Sequence, residues 1–525
     1  MNAPPSPTPP PAADWASRYR TLLENRLRWA VESLPPAGQP PADLQPHLSS
    51  LLTLLSEANQ HLGPHPLSVQ LTLGLHPWPL RWGMWPAWDA ALRTAVQTAA
   101  ALGLAEQQAN LFTALAELQI ARGVLPQALQ FAFQALKIAR SQHALPPFAA
   151  AASALLLTLR TQGENIDAVH HLNEFQSEVE HWSPPPDPQD LLEARARLNL
   201  HRAALLRIES RLTEALHAAH TALIALSSRP KQDPLFTEAL QMRGTLYWTR
   251  GEHHLAALDF RRAADILDQL GDPFEAVNVR GDLGLIHWSM AEYDTAEVLI
   301  RQSVIACEQS DAQWRLVRSV GNLVAVQLSR GRLLDALEYD RRHIETAQRI
   351  GDAGELARAV GNRGSILLYL GRCAEALPDL LKTLAQFRTM GRQELVAVSC
   401  IELGLCYAGL NNTTLGLYYT QKAQSISETL KEQPALKIHW RRGMAFLHPP
   451  RQALPWLEEA LAVARETRRP FDEAACLLDL GGKQNTPEQA SPYWLEAEKI
   501  LIRIGAQNWL SGQTPIRPPF LMLAL

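Results

Sequence analysis

The chain has 525 residues, of which 46% are hydrophobic, and its formal net charge is −4. This length exceeds one ordinary compact core, so we expect several domains or an elongated repeat array. The negative charge argues against a general nucleic-acid binder, which usually carries a basic stripe. Arginine dominates the 49 basic residues, which is typical of a GC-rich bacterial genome.

The N-terminal sequence MNAPPSPTPPPAAD is rich in proline, and we predict a disordered arm over residues 1–13. It has neither the basic region nor the apolar region of a signal peptide. No uncharged apolar stretch approaches the ~20 residues that a membrane-spanning helix needs. The five cysteines form no CxxC pair and are odd in number, as expected of free thiols in a reducing cytoplasm. We therefore expect a cytoplasmic protein that does not bind membranes.

Residues 14–80 read as helices, including DWASRYRTLLENRLRWAVESL, but they lack the spacing that marks the rest of the chain. Terminal units of a repeat array are usually atypical. We predict an N-terminal helical cap or a divergent first repeat here.

A regular repeat occupies residues 81–510. Gly331 is followed five residues later by Ala336, and the same turn-to-small-residue spacing recurs along the chain. The small position falls at 128, 168, 215, 256, 296, 336, 376, 416, 453 and 490. The one long interval contains WSPPPDPQD, which predicts an inserted loop near residues 182–190. Upstream, a degenerate copy places Trp88 in the small position.

Each repeat unit reads as helix–turn–helix, because apolar residues recur at i, i+3, i+4 and i+7 in both halves. Small residues are expected where two helices cross closely. No unit can bury its own apolar face, so neighbouring units must stack into one continuous core. The pattern predicts an all-α solenoid.

The repeat resembles the tetratricopeptide repeat (TPR). The residues that carry the resemblance are Leu283-Gly284, Gly364, Leu403-Gly404 and Tyr407 in first helices, and Gly251, Ala256, Phe260 and Ala263 around a second helix. The period is near 40 residues, as in the longer-helix subclass found in bacterial peptide-sensing regulators, transcription activators and an animal spindle-orientation adaptor. The resemblance implies a right-handed α-solenoid of about ten or eleven repeats. It also implies a protein or peptide ligand.

One motif recurs in the first helices. Residues 318–322 read RSVGN, residues 358–362 read RAVGN, and residues 278–282 give the looser copy NVRGD. In TPR geometry the first helix of each unit lines the concave face, where stacked units would place these polar residues side by side. The candidate binding residues are Asn278, Asp282, Ser289, Arg318, Asn322, Arg358, Asn362 and Tyr369.

Such a polar row would suit an extended peptide. Asparagine can donate to and accept from a peptide backbone, and arginine can clamp a carboxylate with two hydrogen bonds. In the spindle adaptor, residues matching Arg318 and Asn322 hold partner peptides, so the resemblance implies the same role for these two and for Arg358 and Asn362. Asp282 would repel an acidic ligand locally. Alternatively, the glycines reflect close helix packing, and the polar residues pair with neighbours such as Glu355.

The sequence offers little for catalysis, cofactors or metals. LDLGGKQN at residues 478–485 lacks the spaced glycine and the Ser/Thr of a phosphate-binding loop. The histidines of the chain have no compelling metal-ligand spacing. The tryptophan cluster at Trp78, Trp82, Trp85 and Trp88 favours core packing over a ligand cage.

Three functions remain open from the sequence. The leading hypothesis is a non-enzymatic TPR scaffold that binds a protein segment or peptide in its concave groove, in bacterial signalling or complex assembly. The second is a regulatory sensor related to the TPR arms of bacterial transcription activators, which either lacks the NTPase and DNA-binding modules or uses residues 14–80 as its effector. The third is an unrecognised enzyme.

The apolar tail, residues 511–525, is expected to pack on the last helices or to bind a partner. The oligomeric state is not indicated.

Overall fold

The computed structural model describes residues 12–34, 44–81, 83–209, 211–227, 234–309, 312–351, 353–389, 391, 393–430 and 433–510. Residues 1–11 of the predicted arm and the whole apolar tail lie outside these ranges.

The described chain is all-α and divides into two compact units. Unit 1 comprises Met1–Glu252 and Arg262–Ala276, and unit 2 comprises His253–Arg261 and Val277–Leu525. The helices that lie within unit 1 are α1 (Ala12–Glu32), α2 (Leu44–His61), α3 (Pro66–Leu75), α4 (Trp78–Arg81), α5 (Trp85–Ala101), α6 (Ala105–Ala121), α7 (Leu125–Ser141), α8 (Leu145–Gln162), α9 (Asn165–Glu180), α10 (Pro188–Ile208), α11 (Leu212–Ala225) and α12 (Pro234–Thr249).

Two helices contribute residues to both units, α13 (His253–Gln269) and α14 (Pro273–Ser289). The helices that lie within unit 2 are α15 (Tyr293–Gln309), α16 (Gln313–Ser329), α17 (Leu333–Ile350), α18 (Ala353–Tyr369), α19 (Cys373–Thr389), α20 (Gln393–Gly409), α21 (Thr413–Thr429), α22 (Pro434–Leu447), α23 (Pro450–Glu466), α24 (Pro470–Gly482) and α25 (Pro487–Arg503), followed by a short 3₁₀-helix, Gln507–Leu510. Within the described ranges, no helix is both long and apolar enough to span a membrane.

The helix boundaries follow the sequence period. First helices begin at residues 273, 313, 353 and 393, which are 40 residues apart, and the second helices α13, α15, α17, α19 and α21 keep the same step. The helical-repeat fold and its register are therefore confirmed. The predicted loop at 182–190 is shorter than expected, because α10 already begins at Pro188.

Small residues lie where the two helices of a repeat meet. The alanines at the small position are buried, from Ala128 in α7 to Ala490 in α25, and so is Gly416. The recurring first-helix glycines face the second helix of their own repeat. A methyl group on Gly281 would lie 2.8 Å from the Ser303 Cβ, and one on Gly361 would lie 3.0 Å from the Thr383 Cγ2. Close helix approach thus explains why glycine recurs.

The N-terminal helices share their core with the first repeats. One cluster of buried residues in unit 1 runs from Leu23 in α1 to Leu118 in α6, and Trp88 is fully buried within it. Burial of an aromatic ring in the small position is possible here because α3, which precedes the regular array, packs against α5. The described helices α1, α2 and α3 therefore share a core with the first repeats.

The C-terminal 3₁₀-helix packs on a repeat that lies far upstream in the sequence. The indole Nε1 of Trp509 donates to the Ser329 carbonyl at 3.0 Å, and the Asn508 amide donates to the Arg330 carbonyl at 3.1 Å. The Trp509 ring meets the Tyr369 ring edge to face, with centroids 6.1 Å apart. Within unit 2, this contact spans 180 residues of sequence and joins the C-terminal 3₁₀-helix to an earlier repeat. We call it the C-terminal closure.

This closure predicts different costs for two otherwise similar substitutions. Gly331 and Gly351 both have φ of +74°, so alanine at either position should cost about 1–2 kcal/mol in backbone strain. A methyl group on Gly331 would also lie 3.0 Å from the Trp509 backbone nitrogen, whereas one on Gly351 meets nothing within 4 Å. We expect Gly331→Ala to lower the free energy of unfolding, measured in urea, by about 1 kcal/mol more than Gly351→Ala. Equal losses would contradict the closure.

Candidate functional site

Polar side chains join the first helices of neighbouring repeats in unit 2 from α14 to α20 and again between α22 and α24. We call this set the inter-repeat polar row. Its members are the pairs Asp282–Arg318, Asn322–Arg358, Ser365–Glu402, His439–Asp472 and Arg442–Asp479. Each pair links helices that follow one another by one repeat. The row includes four of the candidate binding residues, namely Asp282, Arg318, Asn322 and Arg358.

Arg358 makes several polar contacts within the row. Its Nε donates to the Glu355 carboxylate at 2.9 Å, and its Nη1 donates to the Asn322 Oδ1 at 3.1 Å. Its Nη2 donates to the Arg318 carbonyl at 3.2 Å and lies 2.8 Å from Glu355. Burial alone would raise the pKa of Glu355, but the hydrogen bonds and charges of His343 and Arg358 lower it to about 2. The network thus holds a permanent ion pair.

Gly321 provides the space for this network. A methyl group at this position would overlap the Arg358 guanidinium and would lie 2.6 Å from the His343 Cε1. His343 in turn contacts the Glu355 carboxylate through its Nε2 at 3.0 Å. In the RSVGN repeat, the guanidinium of Arg358 from the next repeat therefore packs directly against Gly321. For Arg358, on α18, the alternative of pairing with Glu355 is the arrangement that the structure has.

Arg318 is the exposed cation of the row. Its side chain is 59% exposed, whereas that of Arg358 is 12% exposed. An Nη of Arg318 lies 3.8 Å from the Asp282 carboxylate, which is a loose ion pair rather than a close hydrogen bond. Asp282 therefore neutralises the charge of Arg318 only in part, and the other N–H donors of Arg318 face solvent.

Two candidate residues have surroundings that differ from the groove-facing positions that the TPR resemblance implied. Asn278 is only 4% exposed and accepts hydrogen bonds from the Ser303 hydroxyl at 3.0 Å and the Cys307 thiol at 3.4 Å, both on α15 of its own repeat. It therefore belongs to the packing between α14 and α15. Ser289 is half-buried, and its hydroxyl donates to the Leu285 carbonyl at 3.0 Å.

The remaining candidates are buried. Asn322 is 3% exposed and Asn362 is 5% exposed. Tyr369 is fully buried, because the C-terminal 3₁₀-helix covers it with Trp509. The expectation that Arg318 and Asn322 share an open face is thus wrong, since Arg318 reaches solvent and Asn322 lies beneath Arg358.

Sequence reasoning missed the second half of the row. Glu402 accepts from the Ser365 hydroxyl at 2.5 Å, and its burial raises its pKa to about 7. Arg442, which is 2% exposed, donates from its Nε to the Asp479 carboxylate at 2.7 Å. These pairs lie 37 residues apart. The separation of 37 residues places each pair in successive first helices, so the pairs could have been predicted from this spacing. The two pairs share no sequence motif, however.

A second-helix residue interrupts the apolar core of unit 2. Asp340 occupies the α17 position at which Phe260, Ile300 and Leu380 stand in other repeats. It is fully buried, and neither carboxylate oxygen has a hydrogen-bond partner among the described residues. The His343 Nδ1 lies 3.9 Å from the Asp340 carboxylate, beyond hydrogen-bonding distance. Burial raises the pKa of Asp340 well above its usual value.

No protein-family model and no curated protein sequence matches the chain. Among solved structures, a Rap protein complexed with competence and sporulation factor matches with a TM-score of 0.54 and 15% identity, over 68% of this chain and 99% of that chain. The Rap conjugation gene regulator of plasmid pLS20, in complex with the Phr* peptide, matches with a TM-score of 0.47 and 15% identity, over 67% and 96%. The first match shows that the chain has a TPR-like helical-repeat fold.

Asp340 gives a prediction that depends on pH. Its raised native pKa means that the folded state binds its proton more tightly, so stability is present below the unfolded pKa near 4 and is lost as pH rises. Asp340→Leu should therefore raise the free energy of unfolding by about 1–3 kcal/mol at pH 8 and by less at pH 4. Urea unfolding followed by circular dichroism measures both values.

Asp335, exposed on the same helix, provides the control. Asp335 lies in the first turn of α17, so Asp335→Leu should lower stability by no more than about 1 kcal/mol at either pH and should give no gain at pH 8. A loss of stability in Asp340→Leu at both pH values, or a gain independent of pH, would contradict the assignment of Asp340 as a buried, unsatisfied acid.

Proposed function

We propose that unit 2 is a non-enzymatic scaffold that binds a protein segment or peptide along the first-helix face, in signalling or complex assembly. Arg318 makes the main polar contact, to a carboxylate of the ligand, and Asp282 sets its position. Asn322, Arg358 and Asn362 support this surface from beneath. Asn278 and Tyr369 are left out of the contact surface because their side chains are buried.

The observation that carries the proposal is the contrast between Arg318 and Arg358. All three guanidinium nitrogens of Arg358 donate hydrogen bonds, to Glu355, Asn322 and a backbone carbonyl. Arg318 has one loose ion pair and a largely exposed side chain. An arginine with free donors can bind a carboxylate through two parallel hydrogen bonds. A ligand carboxylate would gain such a pair at Arg318 without breaking the network below.

The fold supports this proposal. Helical-repeat proteins present long surfaces of stacked first helices and commonly use them for binding. The Rap protein that shares this fold was solved with a bound factor, the competence and sporulation factor. Because a fold hosts many functions, this analogy adds to the argument from Arg318 and does not replace it.

Affinity purification from the native cell, with three immobilised forms of the full chain, tests the proposal. Loss of a charge-assisted hydrogen bond costs about 1.5–3 kcal/mol, so Arg318→Ala should lower recovery of the bound partner about 10- to 100-fold relative to wild type. Quantitative mass spectrometry of the eluates measures this recovery.

Arg341→Ala is the matched control. Arg341 lies on the second helix α17 with a side chain that is 58% exposed, close to the 59% of Arg318, and it pairs with Glu338 and Glu345. Its replacement should leave recovery unchanged. Equal recovery by wild type and Arg318→Ala, with both proteins folded by circular dichroism, would overturn the assignment.

A further inference from the structure

A row of exposed and mostly apolar side chains runs along α1, the first helix of unit 1. We call it the α1 stripe, and its members are Trp15, Tyr19, Leu22, Arg26 and Trp29. The two tryptophans are 58% and 68% exposed, and Leu22 is 53% exposed. Exposed apolar side chains that adjoin one another, rather than lying singly, mark contact surfaces.

The spacing of the α1 stripe is that of a seam between two packed helices. Its members are separated by four, three, four and three residues, so they follow one line along the helix. The same helix buries a different line, formed by Leu23, Leu27 and Ala30, in the core of unit 1. Tyr19 joins the stripe to α2, because its ring meets the His61 ring edge to face at 5.3 Å. The inner face thus already fixes α1 in the fold, and the α1 stripe is a second apolar face.

The charge of this surface is positive. Residues 15–29 contain four arginines and one glutamate, a net charge of +3, in a chain whose net charge is −4. The glutamate, Glu24, pairs with Arg28 at 3.1 Å on the side of α1 that faces away from the stripe. Arg26 lies within the stripe, is exposed, and forms no ion pair with another described residue. The α1 stripe therefore carries an uncompensated cation among apolar side chains.

This cation decides which kind of occupant the stripe fits. If two copies of the chain paired in parallel, Arg26 would face Arg26, and in an antiparallel pairing centred on Leu22 it would face Arg18. Both arrangements place like charges together, which is unfavourable. A membrane surface would need a wide apolar face, but the neighbouring apolar residues of α1 are buried in the core. A helix that offers a carboxylate opposite Arg26 satisfies both the apolar side chains and the charge.

We propose that the α1 stripe binds an acidic amphipathic helix of a partner protein. The apolar face of that helix packs on Trp15, Leu22 and Trp29, and an aspartate or glutamate within that face accepts hydrogen bonds from Arg26. Tryptophan and arginine are among the residues that most often dominate the binding energy of protein interfaces. The proposal goes beyond the scaffold function of unit 2, since it concerns the other unit and uses none of the same residues.

Fluorescence anisotropy with the full chain and two labelled peptides of about 21 residues tests the proposal. Both peptides are amphipathic helices of three heptads with leucine along one face. One central position of that face, and the positions that flank it, are glutamate in the acidic peptide and lysine in the other. Wild type should bind the acidic peptide saturably and about tenfold or more tightly than the lysine peptide, because only glutamate complements Arg26.

Variants of exposed residues assign the binding to the stripe. Arg26→Gln should weaken binding of the acidic peptide about tenfold, and Trp29→Ala should weaken it at least as much. Arg26→Glu should bind the lysine peptide more tightly than the acidic one. Arg28→Gln is the matched control, since Arg28 is an exposed arginine of the same helix outside the stripe. It should leave the affinity within about twofold of wild type. Circular dichroism checks that each variant is folded.

Four results would overturn the proposal. The first is equal affinity of wild type and Arg26→Gln for the acidic peptide, and the second is no saturable binding by wild type at about 100 μM peptide. The third is dimerisation in sedimentation velocity that Trp29→Ala abolishes, because the occupant would then be a second copy of the chain. The fourth is flotation of wild type, but not of Trp29→Ala, with phosphatidylglycerol vesicles, which would assign the stripe to a membrane surface.

Discussion

The close approach of the two helices within each repeat is the constraint on which the rest of unit 2 depends. It requires a small residue in the second helix and permits glycine in the first, as at Ala336 and Gly321. Because Gly321 has no side chain, one side chain from the next repeat can lie against this pair of helices. In the repeat of α16 and α17 that side chain is Arg358, whose guanidinium occupies the space beside Gly321 and next to His343.

Lateral polar pairs then connect one repeat to the next. Apolar contacts supply most of the stabilisation of such an array, but they are tolerant of small shifts between neighbouring helices. Hydrogen bonds to charged groups are directional and therefore fix the register of one first helix against the next. Arg358 does this with two hydrogen bonds to α16, to the Asn322 Oδ1 and the Arg318 carbonyl, while Glu355 on its own helix holds the guanidinium. Arg318, whose ion pair with Asp282 is loose, is the member of the row that we propose exchanges its partner for a ligand.

The sequence predicted the repeat far better than it predicted the site. Small residues and turn glycines recur because backbone geometry demands them in every copy, so the period and the helix starts could be read directly. The surroundings of a polar side chain depend on which neighbour reaches it. Tyr369 is covered by Trp509, which lies 140 residues later, and Asn322 lies beneath Arg358. Neither contact leaves a local signal, whereas the pairing of Arg358 with Glu355 follows a spacing of three residues and was open to inference.

A double-mutant cycle between Asn322 and Arg358 tests the lateral pairing most directly. The free energy of unfolding would be measured in urea for wild type, Asn322→Ala, Arg358→Ala and the double variant. If the pair joins neighbouring repeats as described, the two single losses should exceed the loss in the double variant by about 1 kcal/mol or more. Losses that add to within about 0.3 kcal/mol would show that the two residues act independently and would contradict the account.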